Sequence, residues 1–121
     1  MKLKDDFFKV VDFSENPDEA AYCIELNPSH PIYRAHFPEN PITPGVCILQ
    51  IIKELTSEYL RRDLFLQKAE KIRFLNVINP LENGQVNISL NINPEGGLYK
   101  VSGTVFTTES TFSKLSLIFG Q

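Results

Sequence analysis

The residues of this chain with the capacity for chemistry gather just ahead of a long apolar stretch. The run Ala35-His36-Phe37-Pro38-Glu39-Asn40-Pro41-Ile42-Thr43-Pro44-Gly45-Val46 puts one imidazole shortly before a glycine, with prolines at every third position between them. Repeated prolines stiffen an extended chain, so His36 is held in one setting at low entropy cost. A helix that begins directly after Pro44 leaves its first amides without intrahelical acceptors. Gly45, with no side chain, lets another molecule come close to such an N–H. Histidine and bare amide together suit a carbonyl compound. The amide polarises the carbonyl oxygen, neutral imidazole removes a proton from the adjacent carbon, and the same amide stabilises the enolate-like transition state. Loss of a β-hydroxyl can follow. The competing reading is a purely structural His36 whose nitrogens are satisfied by backbone.

One further group comes into question. Cys47, in the first turn of the expected helix, would have its thiol pKa lowered by the helix dipole and act as a nucleophile; its reading as a small core residue stands first. Cys23 and Cys47 are the only cysteines and make no cluster with histidine, which excludes a structural zinc and a disulfide framework and predicts two reduced thiols. No metal or redox cofactor is implied.

The elements that must position these residues follow from periodicity. Ala20, Tyr22, Ile24 and Leu26 alternate with Ala21, Cys23, Glu25 and Asn27, the period of a strand with one covered face. Residues 7–13 are densely apolar and compatible with either a strand or a short helix. Prolines 28, 31, 38, 41 and 44 exclude a helix or a central strand from residues 27–44, which read as an ordered loop. From Gly45 to Arg62 no proline occurs, and the apolar residues cover far more than a stripe, predicting a mostly buried helix with Thr43 as cap and Pro44 in its first turn. Residues 69–78, 86–93, 98–108 and 111–119 read as strands, with Pro94-Glu95-Gly96-Gly97 as a turn. The pattern is α+β, one domain over residues 1–121, a sheet wrapped over one helix.

Composition sets the outer limits. With 121 residues, 42% apolar and 22% charged, the chain can bury a single core and is not a disordered sequence. No segment supplies the roughly 20 apolar residues of a membrane span. The first residues, Met-Lys-Leu-Lys-Asp-Asp, lack the apolar run of a secretory signal, so a soluble, cytoplasmic protein is expected. A net charge of −3 argues against general binding to nucleic acid. Against that balance, residues 61–73 carry Arg61, Arg62, Lys68, Lys71 and Arg73 with only Asp63 and Glu70, a local +3 that reads either as a docking patch for an acidic partner or as a solvated helix end and loop.

The segment His36-Phe37-Pro38-x-x-Pro41-x-x-Pro44-Gly45-Val46 closely resembles the active-site signature of the hot-dog-fold 3-hydroxyacyl-acyl-carrier-protein dehydratases, the FabZ/FabA group, and Ile72-Arg73-Phe74-Leu75-Asn76-Val77-Ile78-Asn79-Pro80 resembles the strand and proline turn after the central helix in that family. The resemblance implies a hot-dog fold, a curved antiparallel sheet around one long central helix, working as a dimer with sites at the subunit interface. It implies that water is eliminated from a 3-hydroxyacyl thioester of acyl carrier protein to give a trans-2-enoyl thioester. His36 would be the base, the Gly45 amide would hold the thioester carbonyl, Phe37 and Val46 would line the substrate site, and the acyl chain would lie in an apolar tunnel beside the helix. Two positions depart from the pattern. Ala35 stands where glycine is common, and Gln50 stands fourteen positions after the histidine, where the family has a catalytic Glu or Asp. A carboxamide cannot exchange a proton at useful pH, although it can hydrogen-bond the substrate hydroxyl. If the missing carboxylate protonates the leaving hydroxyl, its loss costs roughly 10²- to 10⁴-fold in rate. Gln50 then either begins the polar face of the helix, or belongs to a mixed dimer whose Glu-bearing paralogue completes the site, or is replaced in its role by His30 or Glu39. Beside the dehydratase stand a non-catalytic acyl-thioester-binding subunit and a hot-dog thioesterase.

Overall fold

The structure is a computed structural model that describes residues 1–35 and 39–121. Six strands form one antiparallel sheet: β1 (Phe8–Asn16), β2 (Glu19–Leu26), β3 (Phe65–Phe74), β4 (Gln85–Glu95), β5 (Leu98–Phe106) and β6 (Thr111–Gly120), in the order β1-β2-β4-β5-β6-β3. A short helix α1 (Pro31–Ala35) and a long helix α2 (Gly45–Leu60) lie between β2 and β3. The apolar cluster at residues 7–13 is therefore the start of a strand, which pairs with β2 from Phe8↔Leu26 to Asn16↔Glu19 with a bulge between Val10 and Asp12. Strand β4 pairs with β2, and β3 lies at the far edge against β6.

Each buried strand alternates as its sequence requires. Val86, Ile88, Leu90 and Ile92 of β4 are buried, as are Leu115, Leu117 and Phe119 of β6. Against this face α2 sets Cys47, Ile48, Ile51, Ile52 and Leu55, spaced three and four apart so that they share one side of the helix. Burying each such aliphatic side chain is worth about 1.5–3 kcal/mol, so the helix is held by tertiary packing far more than by propensity. Gly103 of β5 lets the helix come close: a Cβ there would sit 3.0 Å from Ile52 Cδ1 and 3.4 Å from Leu90 Cδ2.

Several boundaries differ from the sequence reading. Residues 31–35 form a turn of helix within what was expected to be loop. Pro31 occupies the first helical position, where its missing N–H costs nothing, and the His30 ring caps the turn by accepting the Ile32 N–H at 3.1 Å. Strand β3 begins at Phe65 and ends at Phe74, earlier than the expected residues 69–78, so most of the cationic stretch lies on an edge strand rather than on a helix end and loop. Pro94 and Glu95 belong to β4, and the turn itself is Gly96-Gly97, both at positive φ (59° and 81°), the conformation of a two-residue hairpin turn. No described helix is long and apolar enough to cross a membrane.

Candidate functional site

At the start of α2 the chain supplies unblocked donors. Pro44 is the cap residue, extended at φ −63° and ψ 144°, and its carbonyl accepts the N–H groups of Cys47 (3.0 Å) and Ile48 (3.2 Å). Thr43 does not cap the helix, contrary to expectation. Its hydroxyl is turned inward to a hydrogen bond with the buried Tyr33 phenol at 2.8 Å, which ties α1 to the residues preceding α2. Burial pushes that phenol up to about 12, while the Thr43 bond pulls it back. The N–H groups of Gly45 and Val46 have no acceptor among the described residues. Two helix-start amides thus remain available to an external oxygen. Val46 is largely exposed.

The empty side of Gly45 is not open space. A Cβ built there would lie 2.5 Å from Phe74 Cζ and 2.7 Å from its Cε2, so the ring at the end of β3 rests directly on the glycine. Phe74 is half exposed, with Leu75 and Val77 exposed beyond it. The glycine therefore admits a neighbour from its own chain as well as leaving the amide bare.

Gln50 is neither free nor unpartnered. Its Nε2 donates to the Met1 carbonyl at 2.7 Å and to Glu54 Oε2 at 2.9 Å, so both amide hydrogens are engaged. Glu54 also accepts the backbone N–H groups of Leu3 (2.7 Å) and Lys4 (2.8 Å), and Lys4 Nζ meets Glu58 at 2.6 Å. In this arrangement Gln50 can present only its carbonyl oxygen to another molecule.

His36 and Phe37, the expected base and its neighbour, lie outside the described residues. The two proposed stand-ins are clear. His30 is buried, its Nδ1 accepts from Ile32, and its Nε2 therefore donates to Asp6 Oδ2 at 2.9 Å, with Phe7 packed edge-on at 5.2 Å. Both nitrogens serve the fold, which removes His30 as a substitute. Glu39 is exposed and makes no hydrogen bond among the described residues. Cys47 is buried, and burial pushes its thiol up, away from the thiolate a nucleophile needs.

Some members of the site could not be named beforehand. Glu54 stands one helical turn after Gln50, a spacing readable in sequence. Phe74 meets the helix start only through the β3–β6 register, which sets Ser113 opposite it across the ladder and for which the sequence carries no local signal. The same register puts Arg73 beside Lys114, and with Lys68 and Lys71 these form an exposed cationic face at the sheet edge.

A single antiparallel sheet curved around one long helix, with bare amides at the helix start, defines a hot-dog fold protein. The chain belongs to the ApeI-like family, described as ApeI dehydratase, whose match spans residues 12–113. It is 25% identical over 99 residues to a FabZ 3-hydroxyacyl-acyl-carrier-protein dehydratase of Syntrophobacter fumaroxidans, covering 74% of this chain and 66% of that one. To the FabZ dehydratase of Caulobacter vibrioides it is 31% identical over 87 residues, covering 60% of this chain and 54% of the relative. These matches thus span about half to two thirds of the curated relatives' length. In fold it is similar to a chain of the dehydratase heterocomplex ApeI:P from Xenorhabdus doucetiae, with a TM-score of 0.76 at 18% identity over 93% of this chain and 96% of the other.

Proposed function

We propose that this chain acts in the dehydration of a 3-hydroxyacyl thioester carried by an acyl carrier protein. The observation that carries the reading is the pair of unaccepted amides at the start of α2, nine residues after His36, in a chain of a dehydratase family. The thioester carbonyl oxygen accepts from the Gly45 N–H, which acidifies the adjacent carbon. His36 imidazole takes the proton from that carbon, the carbon–carbon double bond forms, and the C3–O bond breaks. The departing hydroxyl needs a proton to leave as water.

That proton is where this chain falls short alone. Gln50 has none to give, and its amide is committed to Met1 and Glu54. The reading therefore extends to a half-site completed by a second subunit, a Glu-bearing paralogue in the mixed-dimer form. Strand β3 supports such pairing. It is an edge strand with every residue exposed, including Leu66, Ile72 and Phe74 on the face toward the helix. The cationic face of Lys68, Lys71, Arg73 and Lys114 suits the acidic surface of a carrier protein.

The test is turnover of a 3-hydroxyacyl carrier-protein thioester by the purified chain, alone and mixed with a Glu-bearing paralogue. Enoyl thioester formed by the chain alone and abolished by His36→Ala establishes a self-sufficient dehydratase. Product formed only in the mixture, and lost with His36→Ala, establishes the half-site. Release of free thiol without enoyl product would assign the chain to the thioesterases and overturn the reading.

A further inference from the structure

Among the described residues one buried side-chain polar atom has no hydrogen-bond partner, and it lies beside the helix start. Ser113 of β6 is fully buried and its Oγ is unpaired. Residues directly opposite in an antiparallel ladder project to the same face. Ser113 stands opposite Phe74 on one side and Val105 on the other. Phe74 lays its ring on Gly45, and Val105 lines a small apolar cavity with Thr43, Ile48, Ile51 and Ile78. The hydroxyl is thus on the inner wall of the sheet, on the side of α2, across the ladder from the ring that rests on Gly45. A hydroxyl can rotate to donate or accept, and burying one without a partner destabilises the free protein. An unpaired buried hydroxyl calls for a partner that the described residues do not supply.

We propose that Ser113 is a substrate-positioning residue whose hydroxyl binds the 3-hydroxyl of the acyl group once the Phe74 ring swings off Gly45. The inference rests on the thioester reading of the site given above. The ring stands at the end of an edge strand and is half exposed, so its displacement disturbs little packing and opens a way from the Gly45 amide toward Ser113. One oxygen of the substrate then meets the amide and a second meets Ser113. A saturated acyl group lacks the second oxygen and would leave the serine unpaired, so the pocket distinguishes 3-hydroxyacyl from acyl thioesters.

The experiment compares binding of 3-hydroxyoctanoyl-pantetheine and octanoyl-pantetheine, each with an amide in place of the thioester so that neither is cleaved, to the wild-type chain and to Ser113→Ala, alongside thermal unfolding without ligand. The expected result is a wild-type preference for the 3-hydroxy probe of about 5- to 10-fold, the worth of one net hydrogen bond. That preference is abolished in Ser113→Ala, whose Tm is no lower than wild type. An unchanged preference in Ser113→Ala, no preference in wild type, or a lowered Tm showing that the hydroxyl has a partner in the free chain would each overturn the proposal. Binding of neither probe by wild type would instead overturn the thioester reading itself.

Discussion

Replacing Gln50 by the carboxylate that the family resemblance implies for this position tests how this chain's own residues fit around the amide. In Gln50→Glu an oxygen takes the place of Nε2, 2.7 Å from the Met1 carbonyl and 2.9 Å from Glu54 Oε2, where both neighbours are acceptors. Two hydrogen bonds become two repulsive contacts when the new group is ionised. Lys4, whose backbone N–H meets Glu54, already has its ammonium engaged by Glu58. Two unit charges about 4 Å apart repel by roughly 1 kcal/mol in water and about 4 kcal/mol at an effective dielectric of about 20, which brackets this half-buried position. The variant should therefore lose about 1–4 kcal/mol at pH 8, or several degrees in Tm at about 4 °C per kcal/mol for a domain of this size. A proton shared between the introduced carboxyl and Glu54 restores one hydrogen bond and removes the repulsion, so the folded pair holds a proton to a higher pH than the unfolded carboxyls, whose ordinary value is about 4.3. A group whose folded pKa is raised binds more protons when folded, so stability falls as pH rises. The deficit against wild type should be smallest near pH 4, grow through the interval above it, and level off once the pair is fully ionised. Urea unfolding at a series of pH values reads this directly, and Gln50→Glu with Glu54→Gln, which removes the repulsion, should abolish the pH dependence of the difference. A Gln50→Glu chain as stable as wild type at pH 8, or one whose deficit grows on acidification, would refute the reasoning.

The remaining predictions concern the frame around the site. Glu54→Ala strands the N–H groups of Leu3 and Lys4 and frees the Gln50 amide, and is expected to cost about 2–4 kcal/mol in chemical denaturation, with amide exchange accelerated at Leu3 and Lys4. Gly45→Ala forces the Phe74 ring off the helix start and should destabilise by about 1–2 kcal/mol, whereas in a Phe74→Ala background the same change should be neutral or stabilising by up to about 1 kcal/mol, a coupling that a double-mutant cycle of unfolding measurements reads. Tyr33→Phe leaves the buried Thr43 hydroxyl without its partner and should lower stability by about 1–2 kcal/mol, whereas Tyr33→Phe with Thr43→Val should recover most of that loss in the same assay.

What the chain alone determined is what local periodicity and local chemistry can encode. The strict alternation of Val86, Ile88, Leu90 and Ile92 can bury only one face of a strand, and the apolar residues of Gly45–Leu60 fit only a helix packed on that face. The glycine pair at 96 and 97 turns the hairpin because both positions need positive φ. The bare amides at the helix start follow from a proline and a glycine in sequence, although the cap expected there was Thr43 and the cap found is Pro44. Tertiary structure decided the rest, since the deciding partners are far away along the chain. Residues 31–35 became helical because the His30 ring, held by Asp6, accepts the Ile32 N–H. Thr43 turned from cap to core because Tyr33 waits there, and Gln50 was satisfied by an N-terminal segment that no helical pattern anticipates. Phe74 reached Gly45 through a strand register with two bulges, and a slip of one residue would have turned its ring to the opposite face of the sheet. Periodicity specifies which face of an element is buried, whereas only the assembled sheet specifies what that face meets.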